Sequence, residues 1–87
     1  LLARGFVVVL DMHHYDALTA GAGGPGAHDL RFVMLWEQIA RRFQSRGPRL
    51  YFELLNEPHG RLDAARWNEL AARALGVVRR TNPDRPV

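Results

Sequence analysis

Residues 50–59 read LYFELLNEPH, an apolar run that gives way within one residue to Asn56-Glu57-Pro58-His59. Leu50 to Asn56 predicts a β-strand: it is short, apolar and aromatic, with Gly47-Pro48 before it and Pro58 and Gly60 after it. Residues two apart in a strand share a face. Tyr51, Glu53, Leu55 and Glu57 are therefore expected on one side, and Phe52, Leu54 and Asn56 on the other. Such a strand carries a carboxylate and an amide to its carboxyl end.

Outward from that strand, the pattern repeats. Gly5 to Met12 (GFVVVLDM) is a continuous apolar run rich in β-branched residues, as expected for a strand buried on both faces of a parallel sheet. It closes in His13-His14-Tyr15. Thr19 to Gly26 holds four of the eight glycines and reads as a flexible loop. Asp29 to Gln44 predicts a helix with Phe32, Leu35, Trp36, Ile39 and Phe43 on its apolar stripe. Asp29 supplies a negative charge at its start, and Gly47-Pro48 a left-handed stop. A second helix is expected from an Asp63 cap to about Arg80, burying Trp67, Leu70, Ala71, Ala74 and Val78. Asn82-Pro83 ends it, and Val87 is expected to open a third strand.

Strand, helix, strand, helix is the βαβα order of an α/β fold with parallel strands. The pattern alone does not choose between a barrel and a doubly wound sheet. Two units cannot close a barrel. Leu1 enters an apolar run with no initiator Met, and Val87 falls where a strand is expected, so residues 1–87 read as a fragment of one larger domain. The 87 residues alone are expected to be inactive.

Composition narrows the function classes. The chain has no Cys, which excludes disulfides and thiolate metal sites within it. Its net charge of +3 rests on Arg, with no Lys; the Arg residues are interleaved with acids and read as solvated helix faces, so no nucleic-acid role is expected. No apolar run is longer than that from Phe6 to Leu10, too short to span a bilayer, and no membrane partner is expected.

Chemistry concentrates at the carboxyl ends of both strands, where barrel enzymes build their active sites. Glu57 is the candidate proton donor: burial at a strand end raises a carboxyl pKa, so that it can hold and deliver a proton near neutrality. The competing reading is a loop carboxylate that caps a turn or pairs with Arg61. Glycoside hydrolysis requires two carboxyl groups, about 5–5.5 Å apart for retention and about 6.5–9.5 Å for inversion. Glu53 is about 13 Å of extended strand away from Glu57. Asp11 lies below His13 on the same face and is expected to pair with an Arg. Asp16 falls in a loop without a scaffold. The second acid is therefore expected outside these residues. His13 and His14 are adjacent and point apart in a regular strand, which disfavours a shared metal, although a kink at the strand end would bring both to the rim. His14 reads equally as a packed or surface residue. Tyr15 is placed to stack on a sugar ring, whereas Trp36 and Trp67 read as core anchors. No nucleophile elbow, phosphate loop or dinucleotide fingerprint occurs.

The runs VVVLDMHHYDAL, RFVMLWEQIARRF and LYFELLNEPHGRLDAARWNELAARALGVVRRTNPDRPV resemble glycoside hydrolase family 5, closest to its bacterial endoglucanase-type members. Asn-Glu-Pro after an apolar strand is shared by a wider clan of barrel glycosidases, and His-His-aromatic on the preceding strand narrows the resemblance. It implies a (β/α)8 TIM barrel, with residues 1–87 covering strands three and four and their helices. It implies a retaining, endo-acting hydrolase of β-linked polysaccharides such as β-1,4-glucan. Glu57 then matches the general acid/base. Asn56 matches the residue that hydrogen-bonds the sugar 2-hydroxyl, His13 a rim histidine on the same sugar, and His14 its neighbour on the site wall. The nucleophile Glu would lie on strand seven, outside this chain.

No cofactor and no metal are implied. The expected partner is a polysaccharide or oligosaccharide, and the parent enzyme is expected to be monomeric. Compartment is left open, with secretion or a periplasmic location suiting such an enzyme. The alternative function is a non-catalytic carbohydrate-binding barrel that keeps Asn56 and the histidines without the second Glu. A metal-dependent hydrolase using His13 is a third reading.

Overall fold

The structure is a computed structural model and describes residues 1–24 and 26–87; Pro25, in the glycine-rich loop, lies outside them. A single 3₁₀ turn, Leu2–Arg4, leads to strand β1 (Val8–Asp11) and a one-turn helix α1 (Asp16–Thr19). Helix α2 (Asp29–Arg42), strand β2 (Leu50–Glu53) and helix α3 (Ala64–Arg79) follow. The two strands pair in parallel, with Val8 opposite Leu50 and Asp11 opposite Glu53.

Both strands are shorter than expected: β1 ends at Asp11, and β2 ends at Glu53, before the buried Leu54 and Leu55. Beyond the ladder the two chains remain tied: Met12 N–H donates to Glu53 O (3.3 Å) and Asn56 N–H to Met12 O (3.0 Å). No third strand forms among the described residues. Pro86 O nevertheless accepts from Phe52 N–H at 2.9 Å, laying the chain end along the free edge of β2.

The core lies between the sheet and the two helices. Trp36 and Phe32 are fully enclosed, and the Trp36 and Phe52 rings meet at 5.4 Å. Trp36 Nε1 donates to Leu54 O at 3.0 Å, which anchors α2 to the end of β2 and satisfies the one polar atom of a buried indole. On α2 the buried set is Phe32, Val33, Trp36 and Ala40, rotated slightly from the expected stripe; Ile39 and Phe43 only flank it. The small Ala40 suits a close approach, and Asn82, just past α3, donates to its carbonyl at 2.9 Å. Helix α3 buries Leu70, Ala74, Val77 and Val78, with Trp67 and Ala71 at its margin. Asp63 caps it as expected, accepting from Arg66 N–H at 2.9 Å.

Three expectations are corrected. The sheet is not buried on both faces: Val9 is 54% exposed and Tyr51 38%, because no described residue covers the side opposite the helices. Helix α2 does not run to a left-handed Gly47. It ends at Phe43 (φ −113), and the turn through residues 44–46 completes the stop. The described residues of the 19–26 loop form turns, as a loop does. It opens on α1, whose Thr19 is buried, and continues as hydrogen-bonded turns with Gly24 N–H on Gly21 O (3.0 Å) and Ala22 N–H on Ala17 O (2.9 Å). Asp16, expected to lack a scaffold, is the first residue of α1.

Candidate active site

The loops that follow β1 and β2 lock together. Arg61 N–H donates to Thr19 O at 2.8 Å, and a Cβ on Gly60 (φ 65) would stand 2.5 Å from that same oxygen. Only glycine permits this approach, so the two loops that carry the polar residues are held as one rim. Asn56 is tethered through its backbone to Met12, the residue before His13 in the chain.

Glu57 sits at φ 46, the one non-glycine residue of the described chain in the left-handed region. For an ordinary side chain that conformation costs about 1–2 kcal/mol and persists only where its surroundings impose it. Its carbonyl accepts from His59 Nδ1 at 2.7 Å, which braces the turn. The strand alternation expected to carry Glu57 onto the Tyr51/Glu53 face does not reach it, because β2 ends at Glu53 and Leu54 and Leu55 are both buried. The carboxylate is exposed rather than buried as expected, and it pairs neither with Arg61 nor with any other described residue. The Arg61 stem instead lies against Gly21.

His13 and His14 are both exposed at the end of β1. Their rings do not point apart. The kink after Asp11 brings them edge to face, with centroids 4.7 Å apart. His13 Nδ1 lies 3.0 Å from Asp11 Oδ2. Asp11 thus pairs with His13 and not with an Arg, a partner that sequence reading passed over. Among the described residues no three potential ligands gather into a metal-binding cluster.

Tyr15 is half-buried. Its hydroxyl lies 3.1 Å from His28 Nδ1, and its ring packs at 6.3 Å from Phe32 and 5.6 Å from His28. This inward packing replaces the open stacking face expected of it. His28, unremarked in the sequence, and His59, marked there only as the close of the second polar run, emerge as braces: one on Tyr15, the other on Glu57. Their only sequence signal is proximity to the rim. The Tyr15 contact links residues 13 apart, which no local pattern encodes.

The assembled rim holds an exposed carboxylate on a strained turn, an adjacent amide, and two imidazoles, all at the carboxyl ends of neighbouring parallel strands. Two consecutive parallel strand–helix units make the chain a part of a (β/α)8 barrel, and these polar residues lie at the strand ends where barrels of that kind carry their sites. The whole of it, residues 1–87, matches the sequence pattern of Cellulase (glycosyl hydrolase family 5), and the chain belongs to that family.

Among proteins of known function, it is 38% identical over 86 residues to "Endoglucanase H" of Acetivibrio thermocellus, covering 99% of this chain and 9% of that one. The crystal structure of endoglucanase Cel5A from Thermotoga maritima matches with a TM-score of 0.89 at 44% identity, over 97% of this chain and 26% of that one. The cellulose synthase subunit Z of Clostridioides difficile matches with a TM-score of 0.91 at 39% identity, over 97% and 27%. The Thermotoga protein has been solved with cellobiose and with mannotriose. The chain thus spans about a quarter of each solved relative's length.

Proposed function

We propose that the whole protein carrying this chain is a retaining, endo-acting glycoside hydrolase of β-1,4-linked glucan, with Glu57 as its general acid/base. The observation that carries the reading is the place of Asn56-Glu57 at the carboxyl end of β2, tied by backbone to the β1 rim at Met12, in a chain of the cellulase family.

In this reading a glycan lies across the rim. Glu57 in its protonated form gives its proton to the leaving glycosidic oxygen as that bond breaks and a second carboxylate bonds to the sugar carbon in its place. The resulting Glu57 carboxylate then takes a proton from the water that releases the sugar. Asn56 hydrogen-bonds the 2-hydroxyl of the reacting sugar, and His13 and His14 line the same subsite. Tyr15 stands beside the same subsite, with its hydroxyl engaged by His28. Asp11 is engaged by His13 and Glu53 is confined to β2, so the second carboxylate is assigned to a part of the protein beyond these residues. Substrate closure over the rim supplies the dry surroundings that the exposed Glu57 lacks here and that a proton donor needs.

The test is Glu57→Gln in the whole protein. Hydrolysis of unactivated glucan should fall about 10²–10⁴-fold, the usual worth of general acid–base catalysis. An aryl glycoside with a good leaving group should lose far less in its first step, because it needs no proton there. Near-normal turnover of both substrates refutes the role. A whole protein that binds glucan without cleaving it would be the non-catalytic barrel instead.

A further inference from the structure

Asp11 is the last residue of β1, and its register partner across the sheet is Glu53. Its carboxylate is 30% exposed and lies 3.0 Å from His13 Nδ1, whereas the His13 side chain is 60% exposed. β1 ends at Asp11, and the chain just beyond it sets the imidazole against the carboxylate two residues back. An ionised carboxylate only accepts hydrogen bonds. Nδ1 must therefore carry a proton. The other ring nitrogen, Nε2, has no hydrogen-bond partner among the described residues.

We propose that Asp11 is a positioning residue that holds His13 in the Nδ1–H form and turns Nε2 outward as the acceptor for a sugar hydroxyl. Without a carboxylate at Nδ1, a neutral imidazole favours the opposite tautomer, in which Nε2 is a donor. The difference matters beside an amide. A hydroxyl that accepts from an Asn side-chain N–H has its own O–H left to give, and an Nε2 lone pair receives it. The edge-to-face contact with His14 also restrains the ring. Asp11 itself need not touch substrate. The inference rests on the reading of the rim as a sugar subsite, but the tautomer itself is measurable without any activity.

The first measurement is ¹⁵N NMR of the whole protein with labelled histidine, above the pH at which His13 loses its charge. His13 should show a protonated Nδ1 and a bare Nε2, and Asp11→Ala should move it toward the Nε2–H form. Wild-type His13 found in the Nε2–H form overturns the proposal with no variant needed. The second measurement is a double-mutant cycle on glucan hydrolysis. Asp11→Ala should lower kcat/KM about tenfold, the worth of one well-formed hydrogen bond. In a His13→Ala background the same change should cost almost nothing, because the group it positions is gone. Equal losses in both backgrounds, with unchanged thermal stability, overturn the positioning role even where hydrolysis and Glu57 behave as proposed. A whole protein that cleaves no glucan would instead sink the functional reading and leave the NMR result to stand or fall alone.

Discussion

The guanidinium of Arg85 lies over the ring of Phe52, 5.2 Å from its centroid, and is buried. Burial lowers its pKa from the ordinary Arg value, but its five N–H bonds are matched to acceptors. Nη2 donates to Phe43 O (3.1 Å) and Arg46 O (2.9 Å), Nη1 to Gly47 O (3.0 Å) and Leu50 O (2.8 Å), and Nε to Asn82 Oδ1 (2.8 Å). One side chain thus closes the whole α2–β2 connection against the segment after α3.

Arg85→Met in the whole protein should lower unfolding stability by about 3 kcal/mol, since it leaves several enclosed carbonyls without donors. Arg85→Lys should recover only part, because an ammonium offers three donors without the planar fork. Urea denaturation checks both; a Met variant as stable as wild type would show that water replaces the guanidinium at no cost.

His59→Ala should lower kcat on glucan several-fold while leaving stability within about 0.5 kcal/mol, the usual range for an exposed site. The ring donates to Glu57 O at 2.7 Å and braces the left-handed turn that aims the proposed acid/base. His59→Asn, whose amide can donate to the same carbonyl, should restore part of the rate. Steady-state kinetics with a parallel thermal melt separates this from a loss of fold. Equal rates in all three proteins would show that the turn holds without its brace.

The 87 residues on their own should show no sharp thermal transition by circular dichroism and no glucan hydrolysis. Phe6, Val7 and Val9 are each more than half exposed, and both edges of the two-stranded parallel sheet lack a further strand among the described residues. A cooperative melt would show that the helix-covered face alone stabilises the unit.

Much of the architecture was legible because it is local. The 3.6-residue spacing of Phe32, Trp36 and Ile39, the Asp63 cap, and the polar break after each apolar run each reveal an element from its own residues. The site was legible only as a place. The motif marked Asn56 and Glu57, but strand alternation misled about how Glu57 is presented, because the strand stops four residues earlier and a left-handed turn intervenes.

The sequence by itself determined the order of elements, the helical core faces and the resemblance to a family, since periodicity and motif are carried by neighbours along the chain. Tertiary structure alone decided that Arg85, read as one of many solvated cations, is a buried clasp, that Tyr15 turns inward to His28, and that Gly60 must be a glycine because Thr19 O is there. Those outcomes depend on which distant carbonyl or ring happens to stand within a few ångströms. The free energy of enclosing a charge or a Cβ is set by that company and not by the residue's own type.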